Sequence, residues 1–262
     1  MKASWNRIVA ILRHSWYHGR RSPETWVDLF WMTTIQFLIF GFISKVFVSS
    51  APELGALLLI GFLLWEITRI SQYCITVSIL WEIWSKALNT LFVSPLTMWE
   101  WIAAQTIGAF VKTLFVIGTL GVVSSAFFHV SIFQLGGMLA VYFALLFLFG
   151  ISMGMLLTAL LLRFNTEIQS VAWGLIYLLQ PISAVFYPVE ALPQQIRWVA
   201  YLSPITYVMQ TAQKQLSTGE IDWPKLGISF VLNILCGILS WMFLQSMFRY
   251  GRKTGSFARL GN

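Results

Sequence analysis

Residues 180–214 read QPISAVFYPVEALPQQIRWVAYLSPITYVMQTAQK, and this stretch decides how the rest of the chain is organised. An apolar helix leads into it, and Pro181 removes a backbone donor where that helix would still be running. Pro188 and Pro193 then break the chain again, leaving two short pieces, 194–202 and 205–214. Each holds roughly 10 residues, half of the 20 or so that a membrane-crossing helix needs. Short amphipathic pieces beside long apolar ones read as interfacial or re-entrant helices, a lid over one end of a membrane pathway. The alternative is an ordinary outer loop with Trp198 and Tyr201 at the headgroup level.

Composition puts the chain in a membrane. Of 262 residues, 58% are hydrophobic and only 10% are charged, against about 25% charged in a soluble domain. The net charge of +7 lies at the ends of apolar runs, not in one patch, so it does not mark a nucleic-acid binder. Cys74 and Cys236 stand singly inside apolar segments and read as packing residues, with neither disulfide nor metal spacing. The first apolar run is preceded by polar and aromatic residues without a small-residue cleavage site, so no signal peptide is expected.

Taken in order, residues 4–21 form a basic helix with Trp5, Ile8, Val9, Leu12 and Trp16 on one face, suited to the membrane surface. Ser22, Pro23 and Glu24 supply helix-start signals. Apolar spans are expected at 25–49, 54–80, 101–127, 132–162, 168–187 and 226–248. Glu66 and Arg69 lie three apart inside the second, where they pair with each other to pack a bundle or line a water-filled route. Lys112 in the third snorkels or finds an acid, and His129 marks a turn. Gly150 and Gly154 make a small-xxx-small pair in the fourth, a motif also common by chance. Six spans place both termini on one side, with Lys2, Arg7, Arg13, Arg20, Arg21, Lys86, Arg163, Arg249, Arg252, Lys253 and Arg259. Only Lys45, Arg197, Lys214 and Lys225 fall opposite, so the positive-inside rule puts both ends in the cytoplasm.

The loop between spans two and three reads EIWSKALNTLFVSP, residues 82–95, with Trp84, Leu88 and Leu91 at helical spacing. Its stripe needs covering, by membrane or by a soluble partner. Here the chain resembles the type-2 permeases of ATP-binding-cassette exporters. Their loop has the form E-x-x-x-G-T-L-E-x-L-x-x-S-P, matched by Glu82, Leu88, Leu91, Ser94 and Pro95. Lys86 and Ala87 replace the usual Gly-Thr, and Asn89 replaces an acid. A second match is FYPV at 186–189, Leu192-Pro193 and SPITY at 203–207, similar to F-x-P-x-x-x-L-P followed by N-P-L-T.

The resemblance implies an all-α membrane protein of six spans with a surface helix. It makes 82–93 a coupling helix docked on a separate ATPase and 188–214 paired outer gate helices. It further implies a permease homodimer with two ATPase copies, in the bacterial inner membrane and contacting its lipid. The chain has no G-x-x-x-x-G-K-[ST] loop and no catalytic or metal-ligand constellation. No cofactor is therefore expected on it, ATP and Mg being used by the partner. Glu66, Arg69, Trp173, Tyr177, Phe186, Tyr187, Trp198 and Tyr201 are the candidate pathway and gate residues. The expected cargo is amphipathic, with a lipid-linked polysaccharide or oligosaccharide favoured over a drug or lipid. An ion-coupled carrier using Glu66, Arg69 and Lys112 is the competing class; no internal inverted repeat supports it.

Overall fold

A computed structural model describes residues 2–21, 27–48, 52–87 and 96–254, and among these the chain forms nine α-helices. Helix α1 is Lys2–Arg21; a π-helical turn, Val27–Met32, runs into α2, Thr33–Val48. Two long helices follow, α3 at Pro52–Trp84 and α4 at Met98–Phe127, then α5 at Met138–Phe164. Three short helices, α6 (Gln169–Ile182), α7 (Gln194–Leu202) and α8 (Pro204–Thr218), precede the long α9 (Trp223–Thr254).

Five stretches among the described residues are long and apolar enough to cross a membrane: Leu29–Phe47, Leu54–Trp84, Met98–Phe127, Met138–Phe164 and Trp223–Gly251. The expected span at 168–187 takes a different form. Helix α6 has 14 residues, a length of roughly 21 Å, against a hydrocarbon core of about 30 Å. Pro181 lies in its last turn, and Ala184 just beyond adopts a left-handed φ of 52°. The six expected spans thus appear as five long helices and one short one.

Packing ranks the helices. The spans of α3 and α5 are each 78% buried, whereas those of α2, α4 and α9 are 28%, 33% and 22% buried. The central pair is α3 and α5, and the others wrap around it. Glycine makes that crossing close. A Cβ on Gly150 would sit 2.6 Å from the Thr68 carbonyl oxygen, and one on Gly154 2.7 Å from Ile75 Cβ. Small residues permit such approach where lipid offers no hydrophobic drive between helices. The Thr68 hydroxyl donates across the crossing to the Leu146 carbonyl at 3.2 Å.

Local chemistry sets the other boundaries. Helix α4 starts at a capping box: Thr97 Oγ1 accepts from the Glu100 amide, and the Glu100 carboxylate accepts from the Thr97 amide. Its far end closes through His129, at φ 56°. The fourth span begins at Met138 instead of residue 132, because Ile132–Leu135 is a 3-10 turn ended by Gly136 at φ 56°.

The expected gate segment folds as a 3-10 turn, Val189–Ala191, followed by α7 and α8. Ala184, Val189, Leu192 and Ala200 form a small apolar core of its own. Arg197 donates to the carbonyls of Leu192 and Glu190, pinning the turn, and Ser183 and Ser203 join hydroxyls at 3.1 Å. Gln213 donates to the Ala184 carbonyl at 3.3 Å. The segment is seated on α3 at Gly61, where a Cβ would meet the Val185 carbonyl at 2.6 Å.

Candidate functional site

A polar pair lies at the centre of the bundle. Glu66 is wholly buried and Arg69 nearly so. Arg69 Nε donates to both Glu66 carboxylate oxygens, at 2.9 and 2.8 Å, and its terminal nitrogen to one of them at 2.6 Å. The same nitrogen reaches the Thr33 hydroxyl, which itself donates to the Leu29 carbonyl at 2.6 Å. The i,i+3 spacing on α3 makes the pair self-neutralising. Thr33 ties it to α2. The pair therefore links α2 to α3.

Arg69 also faces a cleft. A cavity of about 100 Å³ is lined by Met32, Arg69, Gln72, Tyr73, Trp173, Ile176 and Tyr177. Trp173, Ile176 and Tyr177 share one face of α6 by their three- and four-residue spacing. The Tyr73 and Trp173 rings stand 5.4 Å apart across the gap. Helix α6 touches α3 only sparsely, which leaves the gap open. Tyr177 is 38% exposed, so the cleft has a mouth at the protein surface.

Arg69, Trp173 and Tyr177 are thus brought together, with Glu66 behind Arg69. Phe186 is elsewhere, stacked on Phe40 at 4.5 Å in a ring column that continues to Phe62. The Tyr187 hydroxyl donates to the Pro181 carbonyl. Trp198 and Tyr201 lie on the exposed face of α7, where the Tyr207 hydroxyl donates to the Tyr201 carbonyl at 2.9 Å. Met32, Gln72, Tyr73 and Ile176 were not singled out from sequence. Gln72 and Tyr73 were findable, because they follow Arg69 at helical spacing.

The second candidate region is the α3–α4 loop. Glu82 and Trp84 stand on the last turn of α3, with the Trp84 ring edge-on to Trp81 at 5.2 Å. The chain turns away just past the helix end at Lys86, whose φ is 57°. That is where the exporter-permease pattern has glycine, the residue that adopts this conformation without a Cβ penalty. Leu88, Leu91, Ser94 and Pro95 lie outside the described residues.

Helix α1 brackets this loop. Arg7 meets the Glu100 carboxylate at 2.6 to 3.0 Å, and the Ser4 hydroxyl donates to the same group. The hydrogen bond to Glu100 raises the Arg7 pKa above its already high ordinary value. On the other flank, His14 Nδ1 is 3.9 Å from Glu82. Gln105 donates to Ser15 at 3.4 Å. From Arg7 to Ser15 is roughly 12 Å of helix, and from Glu100 to Gln105 roughly 7.5 Å. Helix α1 therefore leans along α4 as it crosses it. Glu100 was missed from sequence, although Thr97-Met-Trp-Glu100 spells a capping box.

An all-helical bundle among the described residues, with several apolar crossings, a proline-broken α6–α8 segment and a basic first helix, defines a polytopic membrane protein. Residues 6–217 match the ABC-2 type transporter family, and the chain belongs to that family. It is a permease subunit of an ATP-binding-cassette exporter, of the kind that works with a separate ATP-binding subunit. No curated protein matches the chain.

Proposed function

We propose that the chain carries an amphipathic, lipid-linked glycan outward, through the cleft between the Val27–Met32 turn, α3 and α6. One observation carries this reading: aromatic side chains from two helices flank a neutralised Arg–Glu pair at a cleft that opens to the surface. Aromatic faces suit sugar rings and acyl chains, and the Arg69 guanidinium supplies donors for a phosphate or hydroxyl.

In this reading two copies of the chain pair with two ATPase subunits in the bacterial inner membrane, both termini cytoplasmic. The exposed mouth at Tyr177 faces the second copy. ATP and Mg act in the partner, and closure of the ATPases moves the 82–95 loop. Because α1 holds both flanks of that loop, the motion reaches α1 and α4 together. The bundles then exchange between two states biased by nucleotide bound elsewhere. Trp198 and Tyr201 on α7 are the outer gate.

The test is nucleotide-driven transport by the full complex in vesicles, scored for a lipid-linked oligosaccharide and for a lipophilic drug. Glycan transport that stops with Trp173→Ala while complex assembly persists supports the reading. Drug transport alone replaces it with efflux of amphipathic drugs. Transport that continues without ATP and stops with an uncoupler restores the ion-coupled carrier.

A further inference from the structure

A second cavity, which meets the cleft at Tyr73, lies under α1. It measures about 50 Å³ and is lined by His14, Ser15 and Gly19 of α1, Ser78 of α3, and Gln105 and Lys112 of α4, among others. A Cβ at Gly19 would meet nothing within 4 Å, so the cleft is open there. Among the described residues no carboxylate forms an ion pair with Lys112. Glu82, an acid on the last turn of α3, lies beside His14 at 3.9 Å. An ammonium ion inside a span requires a counter-charge or a route to water.

The depth of the cavity follows from the two helices that flank it. Phe128 meets the rings of Phe37 and Phe42, and the Ser44 hydroxyl donates to the Gly55 carbonyl. The Leu54 end of α3 and the Phe127 end of α4 therefore share one face of the membrane. A crossing takes about 20 residues. Counted from Leu54 it ends near Cys74, and from Phe127 near Ile107. Both positions flank this cavity, whose lining includes Cys74. Lys112 lies about 7.5 Å inside that boundary by helical rise, within reach of a long side chain that snorkels. The cavity thus sits at the headgroup layer on the α1 side.

We infer that this cavity binds the phosphate of an anionic phospholipid, with Lys112 as its cation and Ser15, Ser78 and Gln105 as neutral hydrogen-bonding groups. The acyl chains run along the apolar outer face of α4, where Leu114 is 53% and Val111 59% exposed. Exposed Arg13 and Arg20 on α1 draw anionic lipid to the site. The lipid then acts as a third element between α1, α3 and α4, at the base of the loop that α1 brackets.

Native mass spectrometry of the full chain purified with its ATPase subunit tests this, using phosphatidylglycerol, phosphatidylcholine of the same acyl chains, and inorganic phosphate as probes. Wild type should retain phosphatidylglycerol in preference to phosphatidylcholine. Lys112→Gln should weaken phosphatidylglycerol alone by about fivefold, the contribution of one lysine near a charged surface. Lys112→Arg should preserve it, and Gly19→Leu should reduce it by filling the cleft without changing charge. Equal retention by wild type and Lys112→Gln overturns the proposal. So does Lys112-dependent binding of inorganic phosphate without any preference for phosphatidylglycerol, which would make this a free-anion site.

Discussion

Arg7 and Glu100, 93 residues apart in the chain, form a two-pronged ion pair between α1 and α4 with a closest approach of 2.6 Å. The same carboxylate closes the capping box with Thr97 that starts α4. One side chain therefore sets where α4 begins and where α1 is held. Single substitutions, Arg7→Ala or Glu100→Gln, should free α1 from α4. A cysteine placed at Ser15, half-buried against Gln105, should then become reactive to a membrane-impermeant maleimide. The exchanged pair Arg7→Glu with Glu100→Arg should recover part of the protection. Unchanged reactivity in the single variants would show that apolar contacts alone hold α1.

The Glu66–Arg69 pair should behave as a unit. Arg69→Met leaves a buried carboxylate unpaired and should cost about 3 to 5 kcal/mol, seen as a large fall in melting temperature in detergent. The double variant Glu66→Met with Arg69→Met should recover most of that loss. If the double variant folds but no longer transports, the pair also serves the pathway; full transport would confine it to packing.

Gly150 should tolerate no side chain. Its Cβ would meet backbone and Ser71 together, and overpacking of this kind costs about 1 to 3 kcal/mol or more. Gly150→Leu should shift the protein to aggregate in size-exclusion chromatography. Gly174→Leu is the control, because a Cβ there meets nothing within 4 Å.

Lys86→Gly should raise stability, since left-handed backbone costs an L-residue about 1 to 2 kcal/mol and the exposed Lys86 side chain gives up little packing. Lys86→Val should lower it. A melting temperature that falls in Lys86→Gly would mean that glycine's unfolded-state entropy outweighs the relieved strain.

Trp173→Ala enlarges the cleft beside Tyr73 and removes no contact between α3 and α5. It should alter transport rate or leak while the complex with the ATPase still forms. Loss of the complex in affinity capture would instead mark Trp173 as a structural residue of α6.

The sequence by itself determined the membrane class, the long apolar helices and the proline-broken segment after Gln180. These are local properties, because hydropathy, helix periodicity and proline's missing donor act within one stretch of chain. It also placed Glu66 and Arg69 on one face of a helix, three residues apart. Only the tertiary structure decided that α6 stops at Ile182, too short for an ordinary crossing, and that Phe186 joins a ring column instead of the cleft. It likewise turned Gly150 and Gly154 from a common motif into a close crossing of α3 and α5, and made Glu100 the anchor of α1. Those outcomes depend on which helices meet, and contacts made across some 80 to 150 residues leave no periodic trace in either partner's own sequence.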